Sequence, residues 1–210
     1  MPKPKNKITM PKHFKKPHMG VYCIIINQYI YIGESFDLER RWKQHIEDLK
    51  NNRHHNKILQ EQYNKNNGYM KIECICCIAY SYLRFVYCKQ YFKFNDEKNI
   101  INLLKIILLC IEHKIINEYQ HDTQYIVCNL ENTLLKIYHL LTNNEQQYLK
   151  QFYIIIKDNY NKYGIINKQS YIINIIKLFY LNKTILNNIS QINILNLKSI
   201  LSDDIEDYYI

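Results

Sequence analysis

The chain has 210 residues, 47% of them hydrophobic, enough for one good core and a second small one. Its net charge of +9 is concentrated in residues 1–16, which carry six lysines and no acid; the rest of the excess is spread evenly over the remaining chain. The folded body is therefore nearly neutral, which excludes a strong overall field as the means of holding nucleic acid and leaves local clustering as the only route. Seven cysteines (Cys23, Cys74, Cys76, Cys77, Cys88, Cys110 and Cys128) make an odd count without a secretory signal, so reduced thiols in an intracellular protein are expected. Cys74, Cys76 and Cys77 are too crowded for the usual two-plus-two zinc spacing. No apolar run approaches the ~20 residues of a membrane span, so no membrane partner is expected.

Residues 1–18 contain all four prolines and no apolar periodicity, and read as a disordered basic arm. Such an arm can attract phosphate, address the chain to a nucleus or organelle, or simply solubilise it. Val21–Ile26 and Tyr29–Ile32 are β-type runs separated by Asn27-Gln28, a tight hairpin. Alternation puts Tyr22 and Ile24 on one face, and a single register brings Tyr22 and Tyr31 to the same side. Gly33 ends the second run, where glycine allows a bend or a close approach to the backbone.

A helix over Phe36–Asn51 follows, capped by Ser35 or Asp37, with Leu38, Trp42, Ile46 and Leu49 as its apolar stripe. Arg41 and His45, four residues apart, are neighbours beside that stripe. After the polar turn Arg53-His54-His55-Asn56, a second helix covers Lys57–Asn66 and stops at Asn66-Asn67-Gly68. Tyr69–Tyr80 reads as a third strand with Met70, Ile72, Cys74, Cys76 and Ile78 on one face. Residues 81–95 interleave aromatics with Arg84, Lys89 and Lys93; a packed edge hairpin is favoured over a nucleic-acid ribbon. A long helix capped by Asn95 or Asp96 runs to Tyr119, with Ile101, Leu104, Leu108, Ile111 and Ile115 as its stripe. Glu112 stands in its most apolar part, where a carboxylate needs a partner or a metal unless helical phase turns it outward. Tyr125–Asn129 can return to the sheet. Residues 131–210 suggest helices at about 131–141, 144–161, 169–181 and 188–202, with no arginine and an acidic end.

From Gly20 to His55 the sequence resembles the GIY-YIG nuclease family. Gly20-Val21-Tyr22 matches the first signature and Tyr31-Ile32-Gly33 the second in full, across a hairpin one or two residues shorter than usual. The block SFDLERRWKQH places the catalytic arginine at Arg41 and a histidine at His45. RHHNKILQEQYNKNNG resembles the homing branch and puts His54 on the family's second histidine. Glu112 and Asn129 match in type and distance the later metal-binding glutamate and its following asparagine, with Glu97 and Glu118 as competitors for the former.

The resemblance implies an α+β domain over residues 19–130, with a central antiparallel three-stranded sheet flanked by helices, followed by an all-α C-terminal region over 131–210 of unassigned role. It implies a metal-dependent endonuclease that hydrolyses phosphodiester bonds of DNA with Mg²⁺ or Mn²⁺. Tyr22, Tyr31, Arg41, His45 and Glu112 would be catalytic, Glu112 the metal ligand, and Gly20, Gly33, His54 and Asn129 the support. Arg40, Lys43 and Arg53 are the expected DNA contacts. An unperturbed tyrosine, with a pKa near ~10, is a poor base at neutral pH. Tyr22 therefore needs help from Arg41, the metal or Tyr31. The alternatives are an inactive GIY-YIG fold kept as a DNA-binding or scaffolding module, and a repair-type nuclease. Against the junction-cutting relatives, which carry a cysteine-rich zinc domain, stands the lack of any cysteine after Cys128.

Overall fold

The hairpin forms where the alternation puts it. In a computed structural model that describes residues 8–11, 14, 17–79, 97–122, 124–129 and 133–163, with isolated positions 172, 175 and 192, strand β2 (His18–Ile26) pairs antiparallel with β3 (Tyr29–Ser35). Asn27 makes the turn at φ 54°, a left-handed conformation that Asn tolerates better than most residues. Tyr22 pairs with Gly33 and Ile24 with Tyr31. Directly opposed residues share a face, so Tyr22 and Tyr31 lie on the same side of the sheet.

β4 (Met70–Ala79) flanks β2 antiparallel, completing the three strands expected at the centre. The sheet is larger than that, five-stranded and mixed, with β1 (Ile8–Thr9) and β5 (Ile126–Val127) at its edges in the order β1-β4-β2-β3-β5. β5 runs parallel to β3, the return to the sheet that the Tyr125–Asn129 segment suggested. β1 runs parallel to β4 and lies inside the stretch expected to be a disordered arm. The open edge of β4 offers backbone partners that the lysine-rich composition did not reveal. Phe14 also docks: its ring stacks on His18 at 4.0 Å, and its N–H donates to Glu39 Oε1 at 2.5 Å.

The single apolar face expected for β4 is split by a bulge. Tyr22 pairs with Cys74 but Val21 with Cys76, so Ile75 is an extra residue and parity inverts after it. Met70, Ile72 and Cys74 join the core on the Tyr22 side, together with Cys77, whereas Cys76 and Ile78 belong to the core on the other side. Gly20 sits at this irregularity. A Cβ there would stand 2.0 Å from the Cys76 carbonyl oxygen, so only glycine fits against the bulged strand.

Helices α1 (Leu38–Lys50) and α2 (Lys57–Lys65) cover the first face. Asp37 caps α1 by accepting from the Arg40 N–H at 3.1 Å, and Asn56 caps α2 by accepting from the Leu59 N–H at 2.9 Å. Trp42, Leu38, Leu49, Leu59 and Tyr63 bury against Tyr22, Ile24 and Ile26. The second face is covered by α3 (Glu97–Gln120), packed on Met19, Val21, Cys23, Ile30 and Ile32. Its expected apolar stripe understates it: every residue from Ile101 to Glu112 is buried. The reason lies beyond α3, where α4 (Thr133–Leu140) and α5 (Asn143–Tyr163) bring Leu134, Ile137, Leu149, Phe152 and Ile156 into the same core. Over Ile101–Glu112 the helix is enclosed on both sides and has no solvent face. The expected hairpin at 81–95 and the helices at 169–181 and 188–202 lie outside the described residues, apart from the isolated positions. Among the described residues no helix is long and apolar enough to cross a membrane.

Candidate active site

The end of β3 is where both layers reach the sheet. Gly33 there faces the Tyr22 ring so closely that a Cβ would lie 2.6 Å from the phenolic oxygen and 2.7 Å from Cζ. The second glycine of the signature is thus a seat for the tyrosine of the first. Tyr22 is fully buried, with its ring edge toward Trp42. Its phenolic oxygen lies 2.5 Å from Nε2 of His45. His45 Nδ1 lies 2.7 Å from Nε2 of His54, and His54 Nδ1 accepts from the Asn56 N–H at 3.1 Å. The four groups form one continuous hydrogen-bonded file from the start of α2 to β2. Tyr31, half-buried, stands edge-on to both rings, at 5.4 Å from His45 and 6.2 Å from His54.

Burial, then the nearby Arg41 charge, hold His45 well below the usual imidazole range. Burial, followed by the neighbouring His55, lowers His54 to about 4. Both rings are therefore neutral at pH 7, and each carries one proton. Arg41 is itself buried, donates from Nη1 to Gln44 Oε1 at 2.9 Å, and acts electrostatically on both His45 and Glu112.

Glu112 faces the sheet, settling the question of helical phase: it is 7% exposed. Burial and then the Glu34 carboxylate push its carboxyl up to about 8, opposed by Lys105, Arg41 and a hydrogen bond from the Glu34 backbone. Glu34 is ion-paired with the buried Lys105. Lys105 is thus held by Glu34, and a divalent cation at Glu112 would take the place of its carboxyl proton. Among the described residues no three His, Cys, Asp or Glu side chains are grouped as a metal cage. One carboxyl suits Mg²⁺, which keeps most of its waters and takes few protein ligands.

Of the competitors, Glu118 is half-exposed and paired with Lys114 at 3.6 Å. Glu97 begins α3, about 22 Å along the helix from Glu112 at ~1.5 Å per residue. Asn129 clamps β3 one residue before Gly33: Oδ1 accepts from the Ile32 N–H at 2.8 Å and Nδ2 donates to the Ile32 carbonyl at 2.6 Å. It continues the β5 pairing with a side chain. Arg40 is half-buried and Lys43 exposed. Arg53 is exposed but engaged, with Glu47 and Asp48 both at 2.6 Å, so a phosphate would have to compete for it.

Sequence reasoning missed Glu34, Lys105 and Asn56. An acid in a strand position of inward parity, and a lysine in the run LLKIILLC, were the available signals. Each is a charge where burial permits none unpaired. Asn56 was visible only as a polar turn residue. Its Nδ2 donates to the Cys128 carbonyl at 2.7 Å, a contact across 72 positions that local pattern cannot disclose.

A paired-strand hairpin with a buried tyrosine–histidine file, an arginine and an enclosed carboxyl across the sheet is the layout of a catalytic domain. Residues 18–125, just over half of the chain, match the family model described as the GIY-YIG catalytic domain, and the chain belongs to the GIY-YIG family. Membership implies a phosphodiester-hydrolysing nuclease, of a family that generally uses a divalent metal. The chain is also 33% identical over 63 residues to Intron-associated endonuclease 1 of Enterobacteria phage T4, a match covering 29% of this chain and 26% of that protein. The chain thus spans about a quarter of that relative's length. No solved structure matches this chain.

Proposed function

We propose that the protein is a metal-dependent DNA endonuclease of the homing type. The observation that carries this reading is the buried file from Tyr22 through His45 to His54, seated over Gly33 with the buried Arg41 on the same helix as His45, in a chain of the GIY-YIG family. Phosphodiester hydrolysis requires a proton acceptor for water, a cation at the phosphate and help for the leaving oxygen. Tyr22 takes or relays the proton of the attacking water. Arg41 binds the non-bridging phosphate oxygens, which its planar fork matches. His45 and Tyr31 orient the tyrosine and the water. Glu112 holds Mg²⁺ or Mn²⁺, which when bound supplies charge neutralisation at the phosphate. Gly20, Gly33, His54 and Asn129 keep these groups in place. Arg40 and Lys43 contact the DNA backbone, with Arg53 joining them if DNA displaces its acidic partners. Support for the homing subtype comes from the similarity to the phage intron-associated enzyme and from the histidine–asparagine turn at His54–Asn56. Helices α4 and α5 brace α3 rather than read DNA, since they share its core and residues 131–210 hold no arginine.

The test is cleavage of supercoiled plasmid with Mg²⁺ or Mn²⁺ by the wild type, Arg41→Ala and Glu112→Ala. Nicking or linearisation lost in both folded variants supports the assignment. Cleavage surviving Glu112→Ala moves the metal ligand elsewhere. DNA binding with no cleavage by any of them supports the inactive module, the reading that the nearly neutral body favours.

A further inference from the structure

We infer that Asn56 and His54 set the direction of the hydrogen-bonded file, fixing His45 as a donor to the Tyr22 oxygen. The inference rests on the nuclease reading for its purpose, though not for its geometry.

The direction follows from one backbone group. Asn56 N–H points at His54 Nδ1 at 3.1 Å. The Asn56 carbonyl is 3.4 Å from the same nitrogen, a long contact, and already accepts from the Gln60 N–H at 3.0 Å. A proton on His54 Nδ1 would therefore set two donors against each other, so Nδ1 is bare. A neutral imidazole with a bare Nδ1 carries its proton on Nε2. His54 Nε2–H then donates to His45 Nδ1, across 2.7 Å. With Nδ1 occupied as an acceptor, His45 also carries its proton on Nε2, and donates it across 2.5 Å to the Tyr22 oxygen.

Asn56 is built to hold this setting. It is 5% exposed; its Oδ1 caps α2 through the Leu59 N–H, and its Nδ2 is tied to the Cys128 carbonyl. Gln60 adds a second pin, accepting from the His54 N–H at 3.1 Å. The consequence is chemical. A donor at the phenolic oxygen favours the phenolate over the phenol and leaves the hydroxyl proton directed away from His45. The opposite setting would make His45 an acceptor, holding the hydroxyl proton between ring and phenol rather than favouring the phenolate by donation. Asn56 and His54 are thus positioning residues, acting through His45.

The test is ¹⁵N NMR of the full-length protein labelled at histidine, without DNA, with His45 and His54 assigned by substitution. At neutral pH both rings are expected to show a bare Nδ1 and a protonated Nε2. In His54→Glu, which presents an acceptor in place of a donor, His45 Nδ1 is expected to gain a proton; in His54→Gln, which can still donate, it stays bare. A proton on Nδ1 of either ring in the wild-type protein overturns the inference, and that spectrum needs no variant to fold. Correct tautomers in a protein that cuts no DNA would sink the nuclease reading and leave the file's direction intact.

Discussion

Gly33→Ala is the sharpest test of the site. The new methyl would stand 2.6 Å from Tyr22 Oη, 2.7 Å from Cζ and 3.1 Å from Cε1, where ordinary contacts need about 3.5 Å. The ring must shift by about 1 Å, and Trp42 and His45 oppose the movement. Overpacking of this kind costs about 1–3 kcal/mol, and loss of the Tyr22–His45 hydrogen bond about 1 kcal/mol more, so urea unfolding should show a loss of roughly 2–4 kcal/mol. A catalytic group displaced by ~1 Å costs on the order of 100-fold in rate, so plasmid cleavage should fall by about that factor. In a Tyr22→Leu background the colliding atoms are gone, and the same Gly33→Ala change should cost under about 1 kcal/mol, as a double-mutant cycle would record. Equal costs in both backgrounds, or a stable and active single variant, would refute the seating of Tyr22 over Gly33.

Four further outcomes are expected. Lys105→Met strips the cation from the buried Glu34 and should destabilise by about 3–5 kcal/mol, with Glu34→Gln restoring much of the loss in thermal unfolding. Asn129→Ala leaves both Ile32 backbone groups without their side-chain partners and should cost about 1–3 kcal/mol in the same assay. The folded pKa of His54, about 4, lies below the unfolded value near 6.5, so the unfolded chain binds more protons between them. Stability from this residue is full above pH 6.5 and falls as pH drops toward 4, by up to about 3 kcal/mol; His54→Gln should flatten that limb of the stability–pH curve. Glu112 runs the other way: its carboxyl, raised to about 8, still holds its proton at pH 7. Mg²⁺ binding there should release that proton, seen as buffer-dependent heat in calorimetry and absent from Glu112→Gln.

Local pattern carried the first 79 residues far. The hairpin, α1, α2 and the i, i+4 placement of Arg41 and His45 follow from alternation, caps and helical spacing, because each depends on neighbours in sequence. What escaped depends on partners far away. β1 forms because β4 has an open edge, which a lysine-rich arm does not advertise. The bulge at Ile75 inverts β4 in its pairing with Val21 and Tyr22 of β2, and no periodicity within β4 contains that. Glu34 and Lys105, 71 positions apart, make sense only together. The two histidines could be named as a motif, but the Asn56 N–H that orients them is a backbone group, silent in any sequence.

The two layers also impose an order in time. Tyr22, Arg41, His45 and His54 are all synthesised by residue 54 and sit on one side of the sheet; Glu112 comes from the other side, and Cys128 and Asn129 fasten the ends of the file and of β3 later still. A nascent chain, or one caught half-folded, holds the proton-handling groups without the carboxyl or the clamps. Cutting competence is thus among the last properties that folding delivers. On the proposed nuclease reading, the architecture is a safety interlock: a damaged or unfinished copy is inert rather than indiscriminate.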